Sequence, residues 1–314
     1  MAPAFLVVGA TGNTGKGVVE TLPELLKASK VFSDHRILAL TRSKDSAVAQ
    51  QIAKLPGVEV VEQTWTEITA DWLRQNEVVR AFIASHNEPT QFAEESAFLL
   101  NALNAGVEYV VRISTTAANV YPNCQTYYPR SHWAIEALLS SPEFEALKWS
   151  SLQPNVFLSI VVGPITESIK QYRKTGKPAK VSTILAADAP VAPIDGAEVG
   201  VFAAHLLAQK DIDVHNKAKY VLNGPEDITG QQLVKMAEEH MDAKVEDTTF
   251  KDVSFVDAMA ANSKGSKNLI LSLKHSQETG WAGKCTASTT SKEVLEIAPP
   301  KHTAAEVLDA MLKD

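Results

Sequence analysis

The stretch FLVVGATGNTGK, from Phe5 to Lys16, decides the fold of this chain. Its first four residues are apolar and include two β-branched valines, which predicts a short strand buried on both faces of a sheet. Gly9, Gly12 and Gly15 follow at three-residue spacing. Without a Cβ, Gly9 permits a tight turn out of the strand, Gly12 lets a ligand reach the backbone, and Gly15 allows close helix packing.

The glycine turn predicts an anion site at the start of the next helix. Thr14 or Asn13 can cap this helix, whose free N–H groups and dipole favour a pyrophosphate. An ordinary structural turn is the alternative interpretation. Because the turn follows a predicted strand and opens a predicted helix, the sequence favours dinucleotide binding.

The end of the second strand bears on which dinucleotide is bound. Arg36 to Thr41 (RILALT) form this predicted strand, and the adenosine ribose of a dinucleotide lies at its end. An Asp or Glu there hydrogen-bonds the 2′-OH of NAD, whereas an Arg accommodates the 2′-phosphate of NADP. This chain offers Arg42, Ser43 and Lys44. A solvated charged loop is the alternative, but the position of Arg42 predicts NADP(H) in preference to NAD(H).

Strands and helices alternate with short connections through the first half of the chain. Further strands are predicted at Val58 to Glu62, Val78 to Ala84, Val107 to Ile113 and Trp149 to Gln153, and helices at Lys16 to Leu26, Ala47 to Leu55, Ile68 to Gln75 and Phe92 to Asn104. This alternation predicts an α/β fold with a doubly wound parallel sheet. We expect a dinucleotide-binding domain of residues 1–155.

Beyond residue 155 the alternation fades, which predicts a smaller α/β substrate lobe over residues 156–314, interleaved with the last strands of the sheet. Short strands are predicted at Lys180 to Leu185, Pro190 to Ile194 and Tyr220 to Asn223, and helices at Glu198 to Gln209, Gln231 to His240 and Ala304 to Leu312. The polar, glycine-containing stretch Gln277 to Thr290 predicts a loop.

Polar residues follow the predicted strands at the sheet edge where open parallel sheets bind ligands. His86, after the fourth strand, is a candidate substrate contact, although a lone loop histidine is often simply solvated. Ser114, Thr115 and Thr116 follow the fifth strand. Their hydroxyls can bind a carbonyl or the nicotinamide ribose, and capping of a loop is the alternative.

Composition excludes several classes of function. A net charge of −7 without a Lys/Arg run argues against a nucleic-acid partner. Cys124 and Cys285 are the two cysteines, which suits a reducing compartment, and they lack companions at metal-ligand spacing. Apolar runs fall short of the roughly 20 residues that span a bilayer, and no targeting segment precedes the first strand. We expect a soluble, cytoplasmic protein without a metal.

Several separated pieces resemble the NmrA-like branch of the atypical short-chain dehydrogenase/reductases, near the quinone-oxidoreductase and triphenylmethane-reductase subgroup. The matching pieces are GATGNTG (9–15), LTRS (40–43), the strand ending at Ser114, HWAIE (132–136), SLQPNVF (151–157), PIDGAEVG (193–200) and YVLNGPEDITGQQL (220–233). They span about two-thirds of the chain in the family's order. The stretch Gln277 to Lys301 has no clear counterpart.

The resemblance implies a Rossmann-type sheet and a set of cofactor contacts. It places the pyrophosphate on Gly9, Thr11, Gly12, Asn13, Thr14 and Gly15, the 2′-phosphate on Arg42 with Ser43 beside it, and the nicotinamide side among Ser85, Pro154, Asn155 and Phe157.

The chain departs from the family's active Tyr-x-x-x-Lys pair, in which the Lys lowers the pKa of a proton-passing tyrosine. Here Tyr128 has His132, not Lys, four residues later, and Pro129 predicts that Tyr128 flanks the helix. The subgroup's pattern carries a histidine before an acidic position, which His132 and Glu136 fit. We take Tyr128, His132 and Ser114 as candidate catalytic residues. The alternative is that His132 packs or caps and Tyr128 covers the pocket rim.

Two functions are compatible with these features. The first is an NADPH-dependent reductase that transfers hydride to a small conjugated or aromatic acceptor, such as a quinone, enone, carbonyl or imine-like group. The second is a catalytically inactive NADP(H)-binding sensor that changes its protein partners, as regulatory members of the branch do. Fold alone does not separate them.

Overall fold

A parallel sheet of seven strands carries the fold in this computed structural model, which describes residues 2–177 and 180–313. The strands in chain order are β1 (Ala4–Val8), β2 (Arg36–Thr41), β3 (Val58–Glu62), β4 (Val78–Ile83), β5 (Tyr109–Ile113), β6 (Lys148–Pro154), β7 (Lys180–Ser182), β8 (Ala218–Leu222) and β9 (Asp247–Thr249). The large sheet has the order β3-β2-β1-β4-β5-β6-β8, and β7 pairs with β9 separately. The predicted doubly wound parallel sheet is therefore confirmed.

Thirteen α-helices are assigned within the described residues. They are α1 (Gly15–Ala28), α2 (Ala47–Ile52), α3 (Ala70–Gln75), α4 (Gln91–Ala105), α5 (Tyr127–Leu139), α6 (Leu158–Thr175), α7 (Gly196–Leu207), α8 (Gly230–Met241), α9 (Phe255–Asn262), α10 (Lys267–Leu271), α11 (Glu278–Trp281), α12 (Lys292–Ile297) and α13 (Ala304–Lys313). None of the described helices combines the length and apolar character that crossing a membrane requires.

Strand β1 is buried on both faces, as its apolar run predicts. Phe5 and Val7 face a core that α1 and α7 complete, whereas Leu6 and Val8 face a second core built with α4 and α5. Strands β2 and β4 flank β1 on either side, so the chain changes direction across the sheet at β1. In open α/β sheets this switch point is where ligands bind.

Residues beyond 155 divide between the sheet and a third core. Helix α7 and strand β8 join the main layers, whereas α6, α8 and α13 pack with β7 around their own apolar cluster. Later segments therefore contribute both to the main layers and to a separate core. The boundary at residue 155 as a division between domains stays a prediction.

The structure corrects the sequence analysis in this lobe. The predicted strand Pro190 to Ile194 forms isolated bridges at its two ends instead of a ladder. Helix α6 has no counterpart among the predicted elements; it continues through Pro164, and Leu158, Val161, Val162, Ile165 and Ile169 bury one face at helical spacing. The predicted loop Gln277 to Thr290 contains the short helix α11.

Candidate functional site

A cavity of about 900 Å³ runs along the carboxyl ends of the sheet strands. Its size lies within the roughly 300–1,000 Å³ typical of small-molecule sites. The predicted site residues that line it are Gly9, Thr11, Gly12, Asn13, Thr14, Gly15, Arg42, Ser85, His86, Ser114, Thr115, Thr116, Tyr128, Pro154, Asn155 and Phe157. Ser43 and His132 do not line it. The roles assigned to these residues stay predictions.

The glycine turn forms one end of the cavity. Gly9 adopts φ +80°, a conformation that disfavours residues with a side chain. A Cβ on Gly15 would overlap the carbonyl oxygen of Gly9, so this glycine lets α1 start directly against the turn. At Gly12 the nearest atom to an added Cβ is the Gly9 oxygen at 3.3 Å, and the residue faces the cavity. Gly12 therefore packs closely against one backbone atom of the turn and faces the cavity.

The start of α1 is available to an anion. Thr14 occupies the N-cap position, but its side chain makes no capping hydrogen bond, and the first turn holds no acidic residue. The cap predicted for Thr14 is thus not formed. Uncapped N–H groups at a helix N-terminus carry the partial positive charge that binds phosphate.

Helix α7 supports the glycine turn from behind. A Cβ on Gly17 of α1 would overlap the carbonyl oxygen of Ala197, and one on Gly200 of α7 would overlap that of Thr14. The two helix backbones therefore touch, which holds the turn against a rigid partner. The glycines of PIDGAEVG (193–200) were the available sequence signal for this close helix packing.

Arg42 stands at the end of β2, exposed and lining the cavity. It is the only Lys or Arg among the described residues of the lining, and no ion pair or hydrogen bond of its side chain is recorded there. Thr41 and Ser43 bond to each other in a tight turn, with Thr41 Oγ1 donating to the Ser43 oxygen at 3.0 Å. Ser43 itself does not line the cavity.

The cavity wall beside Arg42 includes residues that the sequence analysis missed. Gln63, Thr64, Trp65 and Thr66 follow β3 directly and line this end. Their position after the carboxyl end of a strand, the rule applied to β2 and β4, was the signal that could have found them.

Ser114 marks the opposite end of the cavity. Its residue is 4% exposed, and its Oγ has no hydrogen-bond partner among the described groups. Because buried hydroxyls are almost always hydrogen-bonded, this unpaired one on the cavity wall is free to bond a ligand atom.

Tyr128 lies beside Ser114 on α5, which begins one residue earlier, so Tyr128 belongs to the helix and does not merely precede it. Burial raises the pKa of its phenol above the ordinary value of 10.0; a hydrogen bond with Thr115 opposes this shift, and the Cys124 thiol adds to it. The phenol therefore keeps its proton at neutral pH and is available as a donor.

His132 lies behind the cavity wall, with only 1% of its surface exposed. Its ring packs perpendicular to that of Tyr128 at a centroid distance of 6.3 Å, with no hydrogen bond recorded between these two described residues. Burial, and then the nearby Arg112 guanidinium, hold the pKa of His132 well below its ordinary 6.5. The structure thus separates His132 from the cavity surface where Tyr128 lies.

A buried ion network surrounds Arg112 on β5. Its Nε lies 2.6 Å from Glu95 Oε1 and its Nη1 lies 3.7 Å from Glu136 Oε1, and all three side chains are at most 1% exposed. Lys219 adds a contact of 2.9 Å to Glu136. Ser85 connects this network to the cavity, since its Oγ donates to Glu95 Oε2 at 2.6 Å.

Asn155 secures the floor of the cavity. Its Nδ2 contacts the carbonyl oxygens of Ala192 and Cys285 and the Oδ1 of Asn223, each at 2.9 Å. The amide group predicted to face the nicotinamide is therefore used in joining three chain segments. Cys285 belongs to the stretch Gln277 to Lys301, which also bonds β8 through Ser291.

Helices that follow residue 155 contribute apolar side chains to the mouth of the cavity. Ile160 of α6 and Phe255 of α9 line it while remaining 52% and 53% exposed, and Ile184 and Gln277 lie there too. The sequence offered no signal for these residues, since they come from helices without a recognised motif. No cluster of three or more potential metal-ligating side chains exists in the described part of the chain.

The sequence profile of the NmrA-like family matches residues 2–297. A search of curated proteins finds no significant match. Among solved structures, the NADPH-dependent quinone oxidoreductase of Escherichia coli complexed with NADPH is similar, with a TM-score of 0.72, 19% identity, and coverage of 98% of this chain and 99% of that chain.

Two further solved structures show the range of similar proteins. The Citrobacter sp. triphenylmethane reductase complexed with NADP(H) has a TM-score of 0.70, 18% identity, and coverage of 98% and 100% of the two chains. NmrA, a negative transcriptional regulator in complex with NADP, has a TM-score of 0.65, 11% identity, and coverage of 99% and 91%. At these identities the similarity concerns the fold.

Proposed function

This chain belongs to the NmrA-like family, and on that premise we propose that it is an NADPH-dependent reductase that transfers hydride to a small conjugated or aromatic acceptor. The acceptor would be a quinone, enone, carbonyl or imine-like group. The observation that carries the proposal is the single cavity that joins an anion site at one end to a chamber with hydroxyl groups and apolar walls at the other.

The residues present fit a nicotinamide dinucleotide. Gly12 leaves the backbone open to a pyrophosphate, the start of α1 offers unshared N–H groups, and the unpaired Ser114 hydroxyl lies where the nicotinamide half would end. Arg42 supplies a positive charge at the end of β2, which supports NADP(H) in preference to NAD(H). The similar proteins solved with NADPH or NADP support the same choice.

The bound cofactor supplies the hydride, and the protein need only bind, orient and protect the reactants. Ile160 and Phe255 offer an apolar surface for a conjugated ring and exclude water when it binds. Tyr128, protonated at neutral pH because of its raised pKa, holds a proton beside Thr115 for an acceptor oxygen or nitrogen.

A dinucleotide sensor is the second candidate, supported by the similarity to a negative transcriptional regulator. Such a protein needs the dinucleotide site but no acceptor chamber. The half-exposed side chains of Ile160 and Phe255 at the cavity mouth favour the reductase. They provide apolar surface for a conjugated acceptor, which the charged phosphates of a dinucleotide do not need.

Steady-state assays decide between the two. We expect NADPH oxidation with at least one member of a panel of quinones, enones and cationic dyes, at rates above those without protein. Tight NADP⁺ binding by calorimetry without turnover of any acceptor, together with a co-purifying protein, would instead identify a sensor.

A further inference from the structure

We propose that Asn87 is a ligand-binding residue of the cavity and that His132 is the positioning residue that sets the direction of its side-chain amide. The inference rests on the proposed function in one respect: it takes the cavity to bind a nicotinamide dinucleotide and an acceptor. Asn87 follows β4 and lines the cavity, but the sequence analysis did not select it.

The first step fixes the proton on the His132 ring. Arg112 Nη2 lies 2.8 Å from His132 Nδ1, and a guanidinium group only donates hydrogen bonds. Nδ1 must therefore accept, which leaves a neutral ring with its proton on Nε2. Arg112 is not free to turn away, because its Nε contacts Glu95 at 2.6 Å and its Nη1 contacts Ser151 Oγ at 3.0 Å.

The second step fixes the amide of Asn87. His132 Nε2 lies 3.1 Å from Asn87 Oδ1, so the Nε2–H can donate to the amide oxygen. Gln91 Nε2 lies 3.3 Å from the same ring nitrogen but is a donor group and does not accept this proton. The phenol of Tyr127 donates to the backbone oxygen of Asn87. With its main chain and its Oδ1 both held, Asn87 turns its Nδ2 away from His132, and no partner of Nδ2 is recorded among the described residues. Because Asn87 is an exposed residue that lines the cavity, these two N–H donors are available to a ligand there.

The group that fits these donors is a carbonyl oxygen. Asn87 comes two residues after Ser85 at the end of β4, and the hydroxyl residues Ser114 and Thr115 follow the neighbouring β5. Both the carboxamide of a nicotinamide ring and the carbonyl of an acceptor would present such an oxygen here. Either source requires the N–H donors that His132 sets in place.

Two substitutions at residue 132 separate positioning from packing. In His132→Gln, the side-chain oxygen can accept from Arg112 and the amide nitrogen can reach Asn87, so both contacts are kept. In His132→Asn, the shorter side chain keeps an acceptor for Arg112 but does not reach Asn87. If His132 has only a structural role, the two variants should have similar NADP⁺ affinity and similar turnover when their thermal stability is equal.

Binding and turnover are then measured for His132→Gln, His132→Asn, Asn87→Ala and Asn87→Asp, with His240→Gln on α8 as a matched control outside the cavity. Asn87→Asp keeps the acceptor for His132 and replaces the two donors by an oxygen. We expect His132→Asn, Asn87→Ala and Asn87→Asp to lose roughly three- to tenfold in either NADP⁺ affinity or kcat/KM. His132→Gln should lose less.

Two arms distinguish the source of the oxygen. If it is the nicotinamide carboxamide, the affected constant is the dissociation constant of NADP⁺, while that of 2′,5′-ADP, which lacks nicotinamide, is unchanged. If it is the acceptor carbonyl, NADP⁺ affinity is unchanged and the loss falls on kcat/KM. If no acceptor is turned over, the proposed reductase function is contradicted. The NADP⁺ calorimetry and the NMR spectrum described next still test the roles of Asn87 and His132.

Nitrogen-15 NMR tests the tautomer without any ligand. The histidine signal that disappears in His132→Gln should show a neutral ring protonated at Nε2 at pH 7. An Nδ1-protonated or charged ring overturns the positioning role. The ligand-binding role of Asn87 is contradicted if its variants keep native NADP⁺ affinity and either keep native turnover or leave no turnover to measure.

Discussion

At the scale of one residue, Arg42 is where the proposed preference for NADP(H) can be tested. We expect Arg42→Ala to weaken NADPH binding while leaving NADH binding nearly unchanged, because the lost charge-assisted contact involves only the 2′-phosphate. Such a contact is worth about 1.5–3 kcal/mol, or roughly ten- to a hundredfold in the dissociation constant. Titration calorimetry with both cofactors measures the difference.

Lys44→Ala is the matched control for Arg42, since Lys44 lies in the same loop without lining the cavity. Equal losses of NADPH and NADH affinity in Arg42→Ala would contradict the assignment of the 2′-phosphate to this residue.

Tyr128 is the proton donor that we propose, since it lines the cavity and its raised pKa keeps the phenol protonated. Tyr128→Phe removes the phenol and keeps the ring, so we expect kcat for a carbonyl or enone acceptor to fall on the order of 10²- to 10⁴-fold. Tyr121→Phe is the control, because Tyr121 is partly exposed and does not line the cavity. A near-native kcat in Tyr128→Phe would show that the acceptor takes its proton from water.

The sequence placed Arg42 and the glycines correctly at the cavity because their positions follow from strand ends. It did not place His132, although the i, i+4 spacing from Tyr128 predicts a common helix face. The ring of His132 turns to Arg112, which lies on β5 and is distant in sequence. Hydrogen-bond partners across elements are set by tertiary packing, which spacing within one helix does not reveal.

At the scale of the element, the turn between β1 and α1 separates two uses of glycine. We expect Gly12→Val to abolish NADP⁺ binding and to leave a folded protein, because the added side chain enters the cavity and meets only one backbone atom. Gly15→Val should destabilise the fold itself, since its Cβ would overlap the Gly9 carbonyl. Thermal unfolding and NADP⁺ titration distinguish the two effects.

Gly163→Ala on α6 serves as the control for these glycine variants, because an added Cβ there meets no atom within 4 Å. Normal NADP⁺ binding by Gly12→Val would show that the turn serves only the fold.

Elements of the first half were predictable because each strand is a short apolar run and each connection is short. Strand β3, for example, was predicted with the bounds that the structure shows, Val58–Glu62. In the lobe, local signals conflict with packing: Pro164 suggests a break, whereas the buried face of α6 continues to Ile169. Tertiary burial outweighs the local preference there.

At the scale of the whole molecule, Arg112 joins α4, α5, β5 and β6 through buried contacts with Glu95, Glu136 and Ser151. Arg112→Met should lower the free energy of unfolding by about 3–5 kcal/mol, because buried Glu95 loses its cation and buried Glu136 keeps only Lys219. Chemical denaturation measures the change.

Arg74→Met provides the comparison for Arg112, since Arg74 pairs with Asp71 on the surface and such pairs contribute about 1 kcal/mol or less. A loss in Arg112→Met as small as that of Arg74→Met would show that the network is not what holds these elements together.

The stretch Gln277 to Lys301, for which the sequence showed no counterpart, has its partners elsewhere in the chain. Cys285 accepts from Asn155, Thr289 and Thr290 accept from Asn223, and Ser291 bonds Val221 on the edge strand β8. The segment thus covers the sheet edge and secures the cavity floor. Because these bonds join residues more than 60 positions apart, no local pattern announced them.

Beyond this segment, His302 fastens the chain before α13 to the start of α7. Its Nδ1 lies 2.6 Å from Asp195 Oδ2, while Asp195 Oδ1 caps α7 by accepting from the Ala197 N–H at 3.0 Å. The Asp195 hydrogen bond raises the pKa of His302 above its ordinary 6.5; partial burial opposes the shift, and the Glu198 charge adds to it. The folded state therefore binds this proton more tightly than the unfolded state.

A raised pKa in the folded state contributes stability that is fully present below about pH 6.5 and is lost as the pH rises through the folded-state pKa. We expect wild type to be more stable than His302→Gln at pH 6 and the difference to shrink by pH 9, with a small amplitude because His302 is half exposed. Asp195→Asn keeps a capping oxygen and removes the charge, so the pH dependence of the difference should be weaker in that background. Thermal unfolding at both pH values measures the stability difference between wild type and His302→Gln. A difference that grows toward pH 9 would contradict the pairing of His302 with Asp195.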